Sequence, residues 1–339
     1  MADKQGQQTV RLSHPPVFAG YGNAVGRKER QGPLGRYFSI SHRDDAFGQK
    51  TWEQAEREMQ KLAFSLAAER AGGPPELLFA GDLLNQCVPS SFAAREQGLP
   101  YCGLYNACAT FGEGLLLAGL ALDSGGFSSA GVVCSSHFCT AERQYRTPLE
   151  YGGQRTPTAQ WTVTGAGAAI LSKTGFGPAL THLTPGKIVD LGVTDTNNMG
   201  AAMAPAACDT IAAHLRDTGR SPDFYDLIVT GDLGVLGSRL LLELLGQEGF
   251  PKLENHADCG CLIFDREKQD VHCGGSGCGC CAAVLTGYFL PGLAAGRWKH
   301  ILFCPTGALH SPTTALQGES IPGICHAAAL AAPGQEATP

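Results

Sequence analysis

Short apolar runs closed by glycine alternate with longer stretches of helical periodicity along this chain. Over 51–72, Trp52, Ala55, Met59, Leu62, Ala63 and Leu66 recur three and four residues apart, which predicts an amphipathic helix. Pro74 and Pro75 end it, and 76–86 reads as a short buried strand with a polar close. A helix over 90–98 stopped by Gly98, a strand over 101–107, a helix over 108–126 and a strand over 130–137 follow. The stretch 162–174 reads as a strand pair, and 1–50 as a polar, glycine-rich extended leader. Beyond it the order recurs, with helices over 206–219 and 238–249, a strand over 225–234, a helix over 277–293 and a strand over 300–309.

The recurrence has a register. LLFAGDLL around Gly81 matches LIVTGDLG around Gly231 at an offset of 150 residues. Ala107-Cys108-Ala109 matches Gly277-Cys278-Gly279, and Gly131–Cys134 matches Ile301–Cys304, both at 170. The difference fits an insertion at about 255–274, which reads as a β-hairpin with LIF and VHC as strands. Strands alternating with helices predict a largely parallel sheet in each copy. The expected organisation is two α/β halves, 1–178 and 179–339, related by a pseudo-twofold axis, with a cavity where they join.

Candidate chemistry begins with Cys108, which follows a strand and opens a helix. Helix N-termini stabilise anions, so the placement fits an activated thiolate nucleophile, although a buried cysteine among small residues reads equally well. His137, His256, His272 and His310 are candidate partners. Asp82 and Asp232 close equivalent strands, where α/β proteins build sites; the pattern favours a capping role for Asp232 and gives Asp82 the better claim to a site. Ser136 and His137 can donate hydrogen bonds into a pocket, while Glu142, Arg143 and Arg146 make either a polar wall or an ion-pair network. The cysteines at 259, 261, 273, 278, 280 and 281 lack the paired spacing of structural zinc sites. The turn 274–280 lacks the GK[ST] ending of a phosphate loop and reads as a tight turn against Cys108.

Bulk properties narrow the classes. The net charge of −6 argues against nucleic-acid binding. No apolar run approaches the roughly 18 residues of a membrane span, and the opening MADKQGQQTVRLSHPP lacks a signal-peptide core. A soluble, intracellular protein is expected, in which the fourteen cysteines stay reduced and many serve as small core residues.

A strand leading to a cysteine at a helix start, in a duplicated α/β chain of this size, resembles the thiolase and ketoacyl-synthase superfamily. The segments GPLG (32–35), AGDLLNQ (80–86), SSH and TAERQYR within 135–146, EYGGQ (150–154), TVTGAGA (162–168), DLGVTD (190–195), MGAAMAPAA (199–207), TGDLG (230–234), GGSGC (274–278), and TGAL with SPT (306–313) resemble, more closely, the stage V sporulation protein AD family. That resemblance implies a thiolase-like fold in layered α-β-α-β-α order. It also implies a non-enzymatic role: binding dipicolinic acid, free or as its calcium chelate, for uptake into the developing spore and release at germination. No other cofactor is implied. The implied partners are membrane proteins of the same transport system, beside the forespore or spore inner membrane, and a second copy in a homodimer, with YCGLYNA (101–107) as the usual contact. Carried over by position, the ligand residues are Asp82, Cys108 and Ser136. His137 and Arg143 are candidate donors to a dicarboxylate, and Asp82 is the nearest oxygen for calcium. Condensing enzymes carry His or Asn where this chain has Gly231 and the turn Gly274–Gly277, so acyl transfer from Cys108 would lack its base and oxyanion partners. An acyltransferase using Cys108, and a purely structural subunit, are the alternative functions.

Overall fold

The computed structural model describes residues 2–145, 155–250 and 253–335. The first half contributes β1 (Val17–Val25), α1 (Trp52–Ala71), β2 (Leu77–Gly81), α2 (Val88–Gln97), β3 (Tyr101–Leu104), α3 (Thr110–Asp123), β4 (Ser129–Ser136), α4 (Phe138–Tyr145) and β5 (Gly165–Ser172). The second contributes β6 (Ala179–Thr184), α5 (Met199–Thr218), β7 (Leu227–Thr230), α6 (Gly234–Gln247), β8 (His256–Asp258), α7 (Cys278–Val284, prolonged through a π turn to Ala294), β9 (His300–Cys304) and β10 (Ala327–Ala331).

Strand order gives the duplication a structural form. The first half runs β3-β2-β4-β5-β1 and the second β8-β7-β9-β10-β6. In each, the third strand in chain order lies at one edge, followed by the second, fourth, fifth and first. The halves meet edge to edge through Val17 and Ala179. In each half the second, third and fourth strands pair in parallel, and the fifth runs antiparallel between the fourth and the first, so four of the five strands share one direction. Each sheet is largely parallel, with one reversed strand. Helices α2 and α3 supply the crossovers that parallel neighbours need; β9 instead returns to β10 through a strand pair, Thr306–Ala308 with Gly323–Cys325, and so runs back antiparallel. Helices α3 and α7 lie between the sheets, α1 covers the outer face of the first and α5 packs with α6 over the second, completing five layers.

Three expectations change. The leader is structured: Asp3–Gln5 pairs with Thr9–Arg11, and β1 sits inside the sheet between β5 and β6. Its apolar signal is weak because α1 crosses so closely. A Cβ on Gly20 or Gly22 would lie 2.2 Å from Ala67 O or 2.5 Å from Ala63 O. The stretch 162–174 is not a strand pair, because Trp161–Thr162 pairs with Gly275–Ser276 while β5 pairs with β1 and β4. The 255–274 hairpin is absent. In its place are β8, parallel to β7, and a short helix, Cys259–Ile263, whose first turn is capped by Asp258 accepting from Cys261 N. Among the described residues no helix is long and apolar enough to cross a membrane.

Candidate functional site

Cys108 sits in a single 3-10 turn, Ala107–Ala109, that feeds α3. Ala107 adopts φ +48, a left-handed conformation that costs about 1 kcal/mol or more for a residue with a Cβ. Thr110 Oγ1 holds the turn, donating to Ala107 O (2.6 Å) and accepting from Asn106 N (3.1 Å). The thiol is buried and faces the Gly-rich turn of the other half, with Ser276 Oγ 3.9 Å from Sγ. Ser276 donates to Asp232 Oδ2 (3.1 Å), which also accepts from Gly277 N (2.9 Å), and Thr306 donates to Oδ1 (2.9 Å). Close packing makes this approach possible: a Cβ on Gly279 would lie 2.2 Å from Gly165 O and 2.6 Å from Ser136 N.

The electrostatics oppose the sequence argument for a thiolate. Burial pushes the Cys108 thiol well above its usual range, and the Asp232 carboxylate within hydrogen-bonding reach raises it further. A helix N-terminus contributes about half an elementary charge at most; a full carboxylate in a buried setting outweighs it. Burial also raises Asp232, to about 6, although its donors hold it lower than burial alone would. None of the chain's ten histidines is hydrogen-bonded to Cys108. The resting arrangement is a thiol beside a largely ionised carboxylate.

A small cavity, about 90 Å3, opens beside Cys108. Glu142, Tyr145, Gln160, Asn197, Ser276 and His310 are among its lining residues. Gln160 Nε2 donates to Asp232 O (2.6 Å) and Gly275 O (3.1 Å), tying the wall to the Cys108–Ser276–Asp232 group. Gln160 Oε1 and His310 Nδ1 are buried without a partner among the described residues. Such polar atoms in a concave wall suit a polar ligand.

Of the residues singled out from sequence, the structure brings Cys108, Glu142 and His310 to this cavity. Asp82 instead closes its own loop, accepting from Leu84 N (2.8 Å), Ser90 N (3.0 Å) and Ser90 Oγ (2.5 Å). The two strand-end aspartates thus exchange the roles expected of them. Ser136 donates to Val163 O (2.7 Å) and packs on Gly277. His137 bonds Asp45 O through Nε2 (2.8 Å), accepts Cys139 N at Nδ1 (3.1 Å) and packs against Trp52. Arg143 pairs with Glu53. His256 bonds Thr230 Oγ1 (3.0 Å), and His272 bonds Thr156 O (2.5 Å) and pairs with Asp270. The thiols of Cys278, Cys280 and Cys281 donate to different carbonyls, those of Ser135, Gly231 and Cys278. Arg146 and the segment 150–154 lie outside the described residues. Gln160 and Asn197 are visible in the sequence only as polar residues in loops; the pairing of Trp161–Thr162 with Gly275–Ser276 draws Gln160 in, and the cap of α5 places Asn197.

With this geometry in hand, known proteins supply a context. The family profile described as stage V sporulation protein AD (SpoVAD) matches residues 6–331. Stage V sporulation protein AD of Bacillus subtilis (strain 168) is 43% identical over 324 residues, covering 95% of this chain and 96% of that protein. Among solved structures, 3-oxoacyl-[acyl-carrier-protein] synthase III of Aquifex aeolicus superposes with a TM-score of 0.55 at 13% identity, covering 93% of this chain and 99% of that one. Xanthomonas campestris OleA gives 0.59 at 16% identity, covering 95% and 98%. These two likenesses establish the thiolase-like fold, and at such identities nothing about chemistry.

Proposed function

The chain belongs to the stage V sporulation protein AD family, and from that premise we propose that its Cys108 cavity binds dipicolinic acid, free or as the calcium chelate, and performs no acyl transfer. The observation that supports binding over catalysis is the environment of Cys108: a thiol raised by burial and by the Asp232 carboxylate, with no imidazole hydrogen-bonded to it among the described residues. A nucleophilic cysteine needs the opposite field. The cavity suits one small planar molecule. Hydroxyl and amide groups of Thr162, Asn197 and Ser276 line it and can donate to carboxylate oxygens, and Glu142 can offer oxygen to a chelated calcium ion. Asp82, Ser136, His137 and Arg143 are engaged with their own loops and neighbours and lie outside this lining.

In this reading the protein works in spore uptake and release of dipicolinate, beside membrane proteins of the same transport system at the spore inner membrane. A homodimer forms through β3, an edge strand on which Cys102 and Gly103 are exposed, flanked by the exposed rings of Phe92 and Tyr105. Calorimetric titration of the folded chain with dipicolinate, with and without calcium, tests the binding. Saturable heat that weakens in Asn197→Leu is expected, and no saturable heat at millimolar ligand rejects the proposal. Acyl transfer is the second reading, favoured by the Cys108–Ser276–Asp232 contact alone. An acyl adduct formed from acyl-CoA, seen by intact mass, lost in Cys108→Ala and turning over, would establish it instead.

A further inference from the structure

The end of the strands opposite the Cys108 cavity carries a different surface. There the turn Lys173–Pro178 joins β5 to β6 and projects Phe176, which is 86% exposed. Phe176 borders a shallow recess of about 250 Å3 shared with Tyr21, Arg70, Ala294 and Pro333. Arg70 donates to Tyr21 O (2.7 Å) and Ser39 Oγ (3.4 Å), linking the recess to an aromatic and guanidinium cluster. In that cluster Arg36 donates to Tyr37 OH (2.9 Å) and Arg297 to Tyr288 OH (3.1 Å). Tyr37 packs edge-on against Tyr288 with ring centroids 4.8 Å apart, and Arg297 lies over both Tyr288 and Trp298. Arg36, Arg70, Lys173, Arg297 and Lys299 are all exposed. Among the described residues none of the five is paired with a carboxylate, whereas Arg57, Lys61, Arg155 and Arg216 elsewhere all are.

We propose that this end of the molecule is its contact with a bilayer of anionic lipid, Phe176 inserting at the boundary between headgroups and acyl chains while the five cations meet lipid phosphate. The inference deepens the reading that the chain works beside a membrane, and it does not depend on what the Cys108 cavity holds. The shape favours lipid over a protein partner. A protein interface is built around a contiguous, close-packed apolar centre. Here one protruding ring on a glycine-flanked turn stands over a shallow recess lined by small apolar residues with Tyr21 and Arg70, and Tyr288, Trp298 and Arg297 form the neighbouring cluster. Such amphipathic rings settle at the headgroup level, and unpaired cations are drawn to the negative surface potential of anionic leaflets.

The test is flotation of the full chain with vesicles of phosphatidylglycerol and phosphatidylcholine, against phosphatidylcholine alone, at two salt concentrations. Binding to the anionic vesicles that weakens with salt is expected. Phe176→Ser should reduce it by about tenfold, and Lys173→Ala and Lys299→Ala by about fivefold each. These side chains are exposed, so melting temperature and dipicolinate heat should match the unaltered chain and report any loss of folding. Equal binding to neutral vesicles, or anionic binding that survives all three substitutions, overturns the proposal. No vesicle binding by a chain that still titrates dipicolinate also overturns it; the cavity reading then stands, and membrane attachment falls to a protein partner.

Discussion

Replacing Glu56 with Gln should flatten much of the alkaline loss of stability of this protein. Glu56 lies on α1, fully buried, with Oε1 2.9 Å from Ser135 Oγ and Oε2 2.8 Å from Thr140 Oγ1. Gln60 extends the group, its Nε2 reaching Ser135 Oγ and Ser90 Oγ at 2.8 Å each, and Ser90 in turn donates to Asp82. No cation faces Glu56, and burial first, then the Asp82 carboxylate, pushes its carboxyl from 4.5 up to about 8. The folded state therefore keeps a proton that the unfolded chain releases. Stability from this group is complete below about pH 4.5 and is lost as pH rises towards 8. At about 1.4 kcal/mol per pH unit, the full shift sets a ceiling of about 5 kcal/mol. The amide of Glu56→Gln keeps the shape and hydrogen bonding of the neutral acid and carries no proton to lose. Urea unfolding of both proteins at intervals from pH 5 to 9 isolates the contribution, because other titrating groups cancel in the difference. The variant should gain on the unaltered chain by at least about 2 kcal/mol across that range. A difference between the two that stays constant with pH would refute the reasoning.

Three further outcomes follow from the same kind of argument. Iodoacetamide at pH 7.5 should modify half-exposed Cys273 well before Cys108, read by peptide mapping; rapid, selective labelling of Cys108 would contradict its raised thiol. Asp258 accepts from Thr230 Oγ1, Leu233 N, Gly234 N and Cys261 N, so Asp258→Ala should cost about 3 kcal/mol or more in urea unfolding; a loss under about 1 kcal/mol would show that those donors find other partners. His182 and His214 are each held down to about 3, chiefly by burial, so the folded state binds fewer protons than the unfolded chain. Stability should fall as pH drops from about 6.5 towards 3, with a shallower slope in His214→Gln, and an unchanged slope would remove His214 as a cause.

What the sequence made legible was whatever repeats or whatever one element carries by itself. The match of Gly81-Asp82 to Gly231-Asp232 corresponds to two strands in equivalent sheet positions, and the match of Cys108 to Cys278 to the starts of the paired central helices α3 and α7. Helix α1 was readable at both ends, Thr51 accepting from Gln54 N and Gly72 closing it in a left-handed conformation. β1 was hidden because its contact with α1 requires Gly20 and Gly22, where an apolar pattern would need bulk. The cavity wall was hidden for another reason. Its residues come from loops of both halves, so no local pattern marks Gln160 or Asn197. The protonation of Cys108 stays open in the sequence because its position on a helix is local, whereas Asp232 reaches it across the join of the halves.

That join also bears on the proposed binding role, because more than one missing side chain separates this site from that of a condensing enzyme. The first half supplies Cys108, and the second supplies Ser276 and Asp232. The resemblance to ketoacyl synthases puts a histidine at Gly231, where the surroundings of a side chain are tight. A Cβ on Gly231 would lie 3.1 Å from Pro305 Cα and Thr306 N, and 3.4 Å from Cys281 Cβ. Thr306, from that same crowding segment, donates to Asp232. The segment that crowds Gly231 thus also helps hold the carboxylate that keeps Cys108 protonated. A side chain at 231 would press this backbone aside by a few tenths of an ångström, next to that hydrogen bond. The crowding at Gly231, the raised thiol and the fixed carboxylate meet in one packing arrangement beside the cavity, which is what sets the proposed binding reading against acyl transfer.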